Sequence, residues 1–426
     1  MALGGGTFTT QNKILPGSYI NFVSIPKTSN IFSERGTASL AMELDWGVED
    51  EIFTVTAADF QKKSIEFFGY DYTHEKMKPL REIFQNIHTL YCYKLNKGTR
   101  ADSAVATAKY AGICGNNISV TVEKSLDLSE GFIVSTYYKG EIADKQLVRT
   151  ASELKNNSYV TFKQIDLATN VKNFPLSSGT NGTIQNSDHQ KYLNKLESYS
   201  FNCFGTASDS LEIKKLYTAF TKRMRENVGI KFQCVLFNHK ADYEGVINVK
   251  NSADAVPWVI GAMAGCKINA SCINKTYDGE YEIKCDYTQA ELENAIQNGE
   301  FTFHRVGNEV KILADINSLT TVSDTKGDIF KENQTIRVCD QIATDIANIF
   351  NTKYLGTVPN DNEGRISLKN DIVKHHKNLL MLRAIENFSD DDIQIEEGDS
   401  KKSVVVYDNI SVINTMEKLY MTVKIA

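Results

Sequence analysis

Few side chains in this chain stand in a pattern that chemistry requires. A serine hydrolase needs a serine, a histidine and an acid brought together, with oxyanion donors beside them. His88, His189 and His239 would meet Ser208 or Ser210 only through the fold, and neither serine sits in a GxSxG nucleophile turn. GTNG at 179–182 lacks the GK[ST] ending of a phosphate loop and reads as a plain turn. His375 and His376 are adjacent, so on a helix they project about 100° apart and cannot share a metal as an i, i+4 pair does. Asp390, Asp391 and Asp392 cluster without the D-x-D-x-D-G loop of a calcium site, and a solvated turn is the simpler reading. The expectation is no catalytic set, no metal and no cofactor.

The eight cysteines are Cys92, Cys114, Cys203, Cys234, Cys266, Cys272, Cys285 and Cys339, and none forms a CxxC pair. Cys92, Cys203 and Cys234 fall in apolar, strand-like runs, where a thiol behaves as a small core residue. Reduced structural thiols, and hence synthesis in a reducing cytoplasm, are expected over a disulfide framework or zinc site. A formal net charge of −6 gives no electrostatic case for nucleic acid or anionic lipid. No apolar run reaches the roughly 18 residues of a membrane helix. The opening MALGGGTFTTQNK has no basic region followed by an apolar one, so no secretory signal is read there.

The elements that would position any site centre on residues 198–265, read as a strand-helix-strand-helix unit. Tyr199–Phe204 and Ile230–Phe237 are the strands; Leu211–Val228, stopped by Gly229, and Ala253–Gly265 are the helices. Such a βαβ unit is right-handed and needs helices on both sheet faces. Residues 36–95 add strands at Thr37–Leu44, Ile52–Val55 and Thr89–Leu95, with helices at Ala57–Phe68 and Met77–Ile87. Residues 96–180 hold β-type runs at Ile118–Glu123, Phe132–Tyr138, Lys145–Val148 and Ser158–Lys163, which predicts an all-β insertion closed by SSGTNGT at 177–183. Beyond it come a helix at Tyr287–Asn298 and a hairpin, Phe301–Val306 with Val310–Ile316, turning at Gly307-Asn308. Past Thr325 the pattern predicts long helices at Thr335–Phe350 and Leu368–Asn387, then strands at Ile393–Glu396, Ser403–Asn409 and Leu419–Ile425.

Both ends carry strands with no sequence-local partner. Tyr19, Asn21 and Val23 alternate with Ile20 and Phe22, and two readings fit: an edge strand of the chain's own sheet, or one donated to another subunit. The last strand holds Leu419, Tyr420, Met421, Thr422, Val423, Lys424 and Ile425.

Six pieces in sequence order resemble contractile tail sheath proteins of bacteriophages and phage-tail-like bacteriocins, of the type found in defective prophages of Gram-positive hosts. They are GGTFTTQNKILPGSYINF near the start, AKYAGICGNNISVTV at 108–122, WVIGAMAGCKINASCINKTYDG at 258–279, DINSLTT at 315–321, IRVCDQIATDI at 336–346 and MEKLYMTVKIA at 416–426. The resemblance implies a central α/β domain of subtilisin-like fold that is not a protease, an inserted β-domain and a C-terminal α+β domain. It implies stacked hexameric rings around an inner tail tube protein, contraction without a nucleotide, and baseplate and tail terminator partners. Strands donated from both termini to neighbouring subunits are implied too, at Tyr19–Val23 and Leu419–Ile425.

The expected division is a 1–27 arm, a 28–95 first core segment, a 96–180 β-insertion, a 181–325 core and a 326–426 C-terminal domain. Lys369, Lys374, His375, His376 and Lys377 form a basic face on the last long helix, either solvated or turned to the tube. The competing function is a hydrolase built on the same α/β core. Strands at both termini without local partners favour the structural reading.

Overall fold

The computed structural model describes residues 34–126 and 130–425. The N-terminal strand expected at Tyr19–Val23 lies outside these residues. The first segment supplies β1 (Thr37–Met42), β2 (Ile52–Thr56), α1 (Ala57–Phe68), α2 (Lys78–Phe84) and β3 (Thr89–Lys94). Local chemistry fixes the ends of α1. The Thr56 hydroxyl accepts from the Asp59 amide, and Gly69 ends the helix at φ 75°, a left-handed conformation glycine adopts without steric cost.

The insertion follows as β4 (Gly98–Thr99), β5 (Ala106–Ala108), β6 (Ile118–Lys124), β7 (Phe132–Tyr138), β8 (Glu141–Val148), β9 (Val160–Phe162), β10 (Asn173–Pro175) and β11 (Thr180–Asn181). It forms one four-stranded sheet, β10-β6-β7-β8, with β5-β9 and β4-β11 as separate pairs. The β7–β8 turn is Lys139-Gly140, both at positive φ, as a two-residue hairpin loop demands. Among the described residues its helices are short 3-10 turns, including Ala151–Glu153 where a brief helix was expected.

The chain then returns to the core through α3 (Asn186–Leu196), β12 (Cys203–Thr206), α4 (Leu211–Arg223), β13 (Gln233–Phe237), β14 (Val246–Val249), α5 (Val256–Gly265), α6 (Gln289–Gln297) and β15 (Glu300–Phe301). The sheet order is β15-β14-β13-β12-β1-β3-β2. All its pairings are parallel except β2 with β3. Alternate residues feed opposite faces: Val235 joins Ala38, Leu90, Trp258 and Ile260 on one side, while Cys234 and Leu236 join Phe204, Tyr192, Tyr217 and Phe220 on the other. Helices therefore cover both faces, as parallel strands require.

Two elements differ from the sequence reading. The unit at 198–265 contains a further parallel strand, β14, and α3 precedes it. The hairpin is β16 (Phe303–Val306) with β17 (Glu309–Ile312), while Phe301 belongs to the main sheet.

The C-terminal part holds α7 (Asn333–Ile349), α8 (Asn362–Met381), β18 (Ile385–Glu386), β19 (Ile393–Glu397), β20 (Val404–Asp408) and β21 (Ser411–Val412). Two buried ion pairs fasten α7 to the core. Arg225 donates through both terminal nitrogens to Asp340, at 2.6 and 2.8 Å. Arg337 donates to Asp315, which also accepts from the Cys272 amide at 2.9 Å and from Asn333 at 3.0 Å. These bonds hold the Asp315 carboxyl below its ordinary range despite complete burial, with Arg337 the largest favourable contribution. Removing either partner of such a pair costs about 3–5 kcal/mol, because the other charge stays buried.

Candidate assembly interface

The chemistry considered for a hydrolase is dispersed. His189 is buried with its Nδ1 3.0 Å from the Tyr217 hydroxyl, and burial pushes its pKa down. His88 reaches Thr89 and the Arg35 carbonyl. The Ser208 hydroxyl accepts from the Ser210 amide. All eight cysteines are free thiols. The neighbouring Cys272 thiol pulls the pKa of the half-buried Cys266 down, and Arg337 and Arg35 add to this.

The basic face expected on the last long helix is partly overturned. Helix α8 starts at Asn362 and ends at Met381, so it runs earlier than Leu368–Asn387. His375 and His376 are fully buried, not turned outward. His375 Nε2 lies 3.0 Å from Asp345 of α7, and His376 Nε2 lies 2.9 Å from Asp408 of β20, with Phe388 packed on the His376 ring. The pair therefore ties α8 to its neighbours on both sides and is withdrawn from any surface role. Lys374 and Lys377 are exposed and Lys369 is half-buried. Lys377 reaches Asp390 at 2.7 Å. Ile372 and Leu379 are buried, while Leu380 and Leu382 are exposed.

Sheet edges are open next to this helix. β19 and β20 pair with each other over five residues, in a sheet of two strands. Val405, Val406 and Tyr407 on β20 are exposed. β21 pairs with β18, and the chain then leaves the body. Residues 419–425, expected as a strand, join no sheet among the described residues. Their side chains stand in solvent: Leu419 is 86% exposed, Tyr420 88% and Ile425 91%. A tail of this composition with no ladder and no packing has apolar surface and main-chain groups available to another molecule.

Comparison with known proteins follows the same order along the chain. The model for the tail sheath protein Gp18 domain III N-terminal region matches residues 35–95, and the phage tail sheath beta-sandwich domain matches 89–182. The phage tail sheath central domain matches 182–318 and the sheath C-terminal domain 325–426. The chain belongs to the phage tail sheath family.

The sheath tail protein of Desulfitobacterium hafniense is 33% identical, with a TM-score of 0.81 over 95% of this chain and 99% of that one. The phage-like element PBSX protein XkdK of Bacillus subtilis is 29% identical over 99% of this chain and all of the relative. The helical sheath of the anti-feeding prophage in its contracted state is 10% identical with a TM-score of 0.59, a likeness of fold alone. This sheath subunit is thus a structural component of a contractile phage-like tail, mixed α/β with an inserted β-sandwich, and not an enzyme. No described helix is long and apolar enough to cross a membrane.

Proposed function

We propose that the subunit polymerises by exchanging terminal strands. The observation that carries this is the exposed segment from Met416 to Ile425, which pairs with no strand among the described residues, together with a β19–β20 hairpin that forms a sheet of only two strands. An extended segment adding to a sheet edge gains main-chain hydrogen bonds, each contributing about 0.5–1.5 kcal/mol net. In this reading Leu419–Ile425 of one copy pairs in a neighbour's C-terminal domain, and Tyr19–Val23 does the same from the other end. Subunits form stacked hexameric rings around an inner tail tube protein, capped by baseplate and tail terminator proteins. Assembly takes place in the host cytoplasm, and no nucleic acid or membrane insertion takes part.

Contraction in this account is a rigid-body switch between two packings, with the strand links as hinges. The buried pairs between α7 and the core support rotation of each subunit as one body. The seven-stranded, largely parallel sheet with helices on both faces supports the subtilisin-like description of the core. We divide the chain as 1–27, 28–95, 96–180, 181–325 and 326–426, with the insertion on the sleeve's outer surface.

Proline has no N–H to give a ladder. Val423→Pro or Phe22→Pro should therefore abolish sleeves in negative-stain microscopy while leaving a soluble, folded monomer. Normal sleeves from both variants would refute strand exchange. The tube-facing surface is smaller than the sequence suggested, and rests on Lys369, Lys374 and Lys377. Charge reversal, Lys374→Glu with Lys377→Glu, should weaken co-assembly with the tube at low salt; co-assembly insensitive to both charge and salt would remove these lysines from the contact.

A further inference from the structure

The C-terminal arm leaves the body at a defined point, where buried side chains of α7 hold it. β21 ends at Val412, and the next amide, Ile413 N–H, still donates to the Ala384 carbonyl at 3.0 Å. From there no strand among the described residues lies beside it. Gln334, in the first turn of α7 and 4% exposed, takes the place of one. Its Nε2 donates to the Ile413 carbonyl at 3.0 Å, and its Oε1 accepts from the Thr415 amide at 3.2 Å. One primary amide thus satisfies a carbonyl and an N–H on either side of Asn414, as an adjacent strand would. The buried Thr335 adds a bond from its hydroxyl to the Asn414 side chain at 3.3 Å. The next residue, Met416, is 99% exposed.

We propose that Gln334 is the positioning residue of the C-terminal arm: it fixes residues 413–415 to the body, so that the arm pivots at the Thr415–Met416 junction and not at the end of β21. The proposal rests on the strand-exchange reading for its purpose, but not for its structural claim. A pivot three residues beyond the sheet shortens the free arm, and a shorter tether with a set exit direction raises the local concentration of its end at a neighbour's edge. Glu332, the residue before α7, lies within electrostatic reach of Glu417 on the arm.

The test is amide hydrogen exchange at residues 413–417 in the full-length chain, compared with Gln334→Ala and Gln334→Met. Loss of a net bond of this kind should speed exchange at the Thr415 amide about tenfold. Exchange in β19 and β20 should stay as it was, and sleeves from either variant should be fewer and shorter. Gln334→Met keeps the side chain's length and apolar packing, so it gives the measurement if the alanine variant does not fold. Unchanged exchange at Thr415 in the variant that folds overturns the clamp. Faster exchange with normal sleeves overturns its role in assembly while the clamp stands. Normal sleeves from Val423→Pro would instead count against strand exchange, which the Thr415 amide does not report.

Discussion

Glu332 shows how a single residue near the arm couples to pH. Burial is the main cause, and Glu417 the next, that raises its carboxyl from an ordinary 4.5 to about 7. The folded state therefore holds a proton that the unfolded state has released between those values, and stability falls as pH rises through that window. Asp315 acts in the opposite sense, but only at pH values below its unfolded range, because its carboxyl is depressed. His189, His239 and His304, all pushed down chiefly by burial, favour the unfolded state below about 6.5 and oppose Glu332 there. The difference between proteins is therefore the clean readout. Glu332→Gln should melt at a higher temperature than the natural chain at pH 7.5, with the gap closing by pH 5; an equal gap at both values would show that the carboxyl does not titrate as described. Little of this was legible in the sequence. Adjacent His375 and His376 read as a surface pair, because their partners Asp345 and Asp408 lie 30 and 32 positions away from them and only the fold supplies them. Gln334 was invisible for the same reason: its partners at 413 and 415 meet it only once α7 has docked.

At the scale of elements the sequence was more informative where patterning is strong. Ala57–Phe68 and Phe132–Tyr138 are as read, because a Thr cap with a Gly stop, and strict alternation before a positive-φ turn, leave few alternatives. β14 and α3 escaped. β14 is only four residues long, and α3, NSDHQKYLNKL, is mostly polar with its apolar residues facing one side of the sheet. The terminal strand at 419–425 has strand composition, but no ladder that would define it is present among the described residues. Helix α5 was recognised as apolar; why it carries Gly261 and Gly265 was not. A Cβ on Gly261 would run into the Ile83 carbonyl of α2, and one on Gly265 into the Asn86 carbonyl. The two backbones are thus in near contact. Gly261→Ala should gain about 1 kcal/mol of helix propensity but lose about 1–3 kcal/mol to overpacking, so its urea midpoint should fall. A midpoint that rises would mean α2 yields to the methyl group at no cost.

Among the described residues the insertion has an apolar cluster of its own, linked to the α/β body. The insertion enters and leaves at one place, where Gly98–Thr99 pairs antiparallel with Thr180–Asn181. The Asn181 side chain donates to buried Asp45 at 2.7 Å, and Lys94 Nζ donates to the Ala111 carbonyl at 2.6 Å. Trp46, from the core segment, is buried in the insertion's own cluster against Tyr110 and Tyr159. Replacing residues 100–176 by a short Gly/Ser linker would leave Trp46 bare. The deletion should therefore be soluble and able to form sleeves only when combined with Trp46→Gln, and the deletion alone should aggregate on gel filtration. If both are insoluble, the insertion is part of the folding core and not an appendage. The sequence showed that residues 96–180 differ in character, through their β-type runs and glycine-rich turns. It did not show how far the border is shared, with Trp46 buried on the insertion's side.

The side-by-side passage of β4 and β11 also bears on how such a particle changes over generations. The rest of the subunit meets the two short strands of that neck and one further border, where Tyr138 and Lys139 donate to the Gly69 carbonyl and Lys139 lies over the Tyr70 ring. The β7–β8 turn at Lys139-Gly140, with open space about Gly140, lies in the insertion between them. Substitution or a fused peptide at Gly140, with Lys139 kept on its Gly69 and Tyr70 contacts, leaves the register of the seven-stranded sheet and the exit of the arm as they were. On the proposed placement of the insertion outside the sleeve, what an antibody or a receptor meets would vary at that position while the step between subunits is kept.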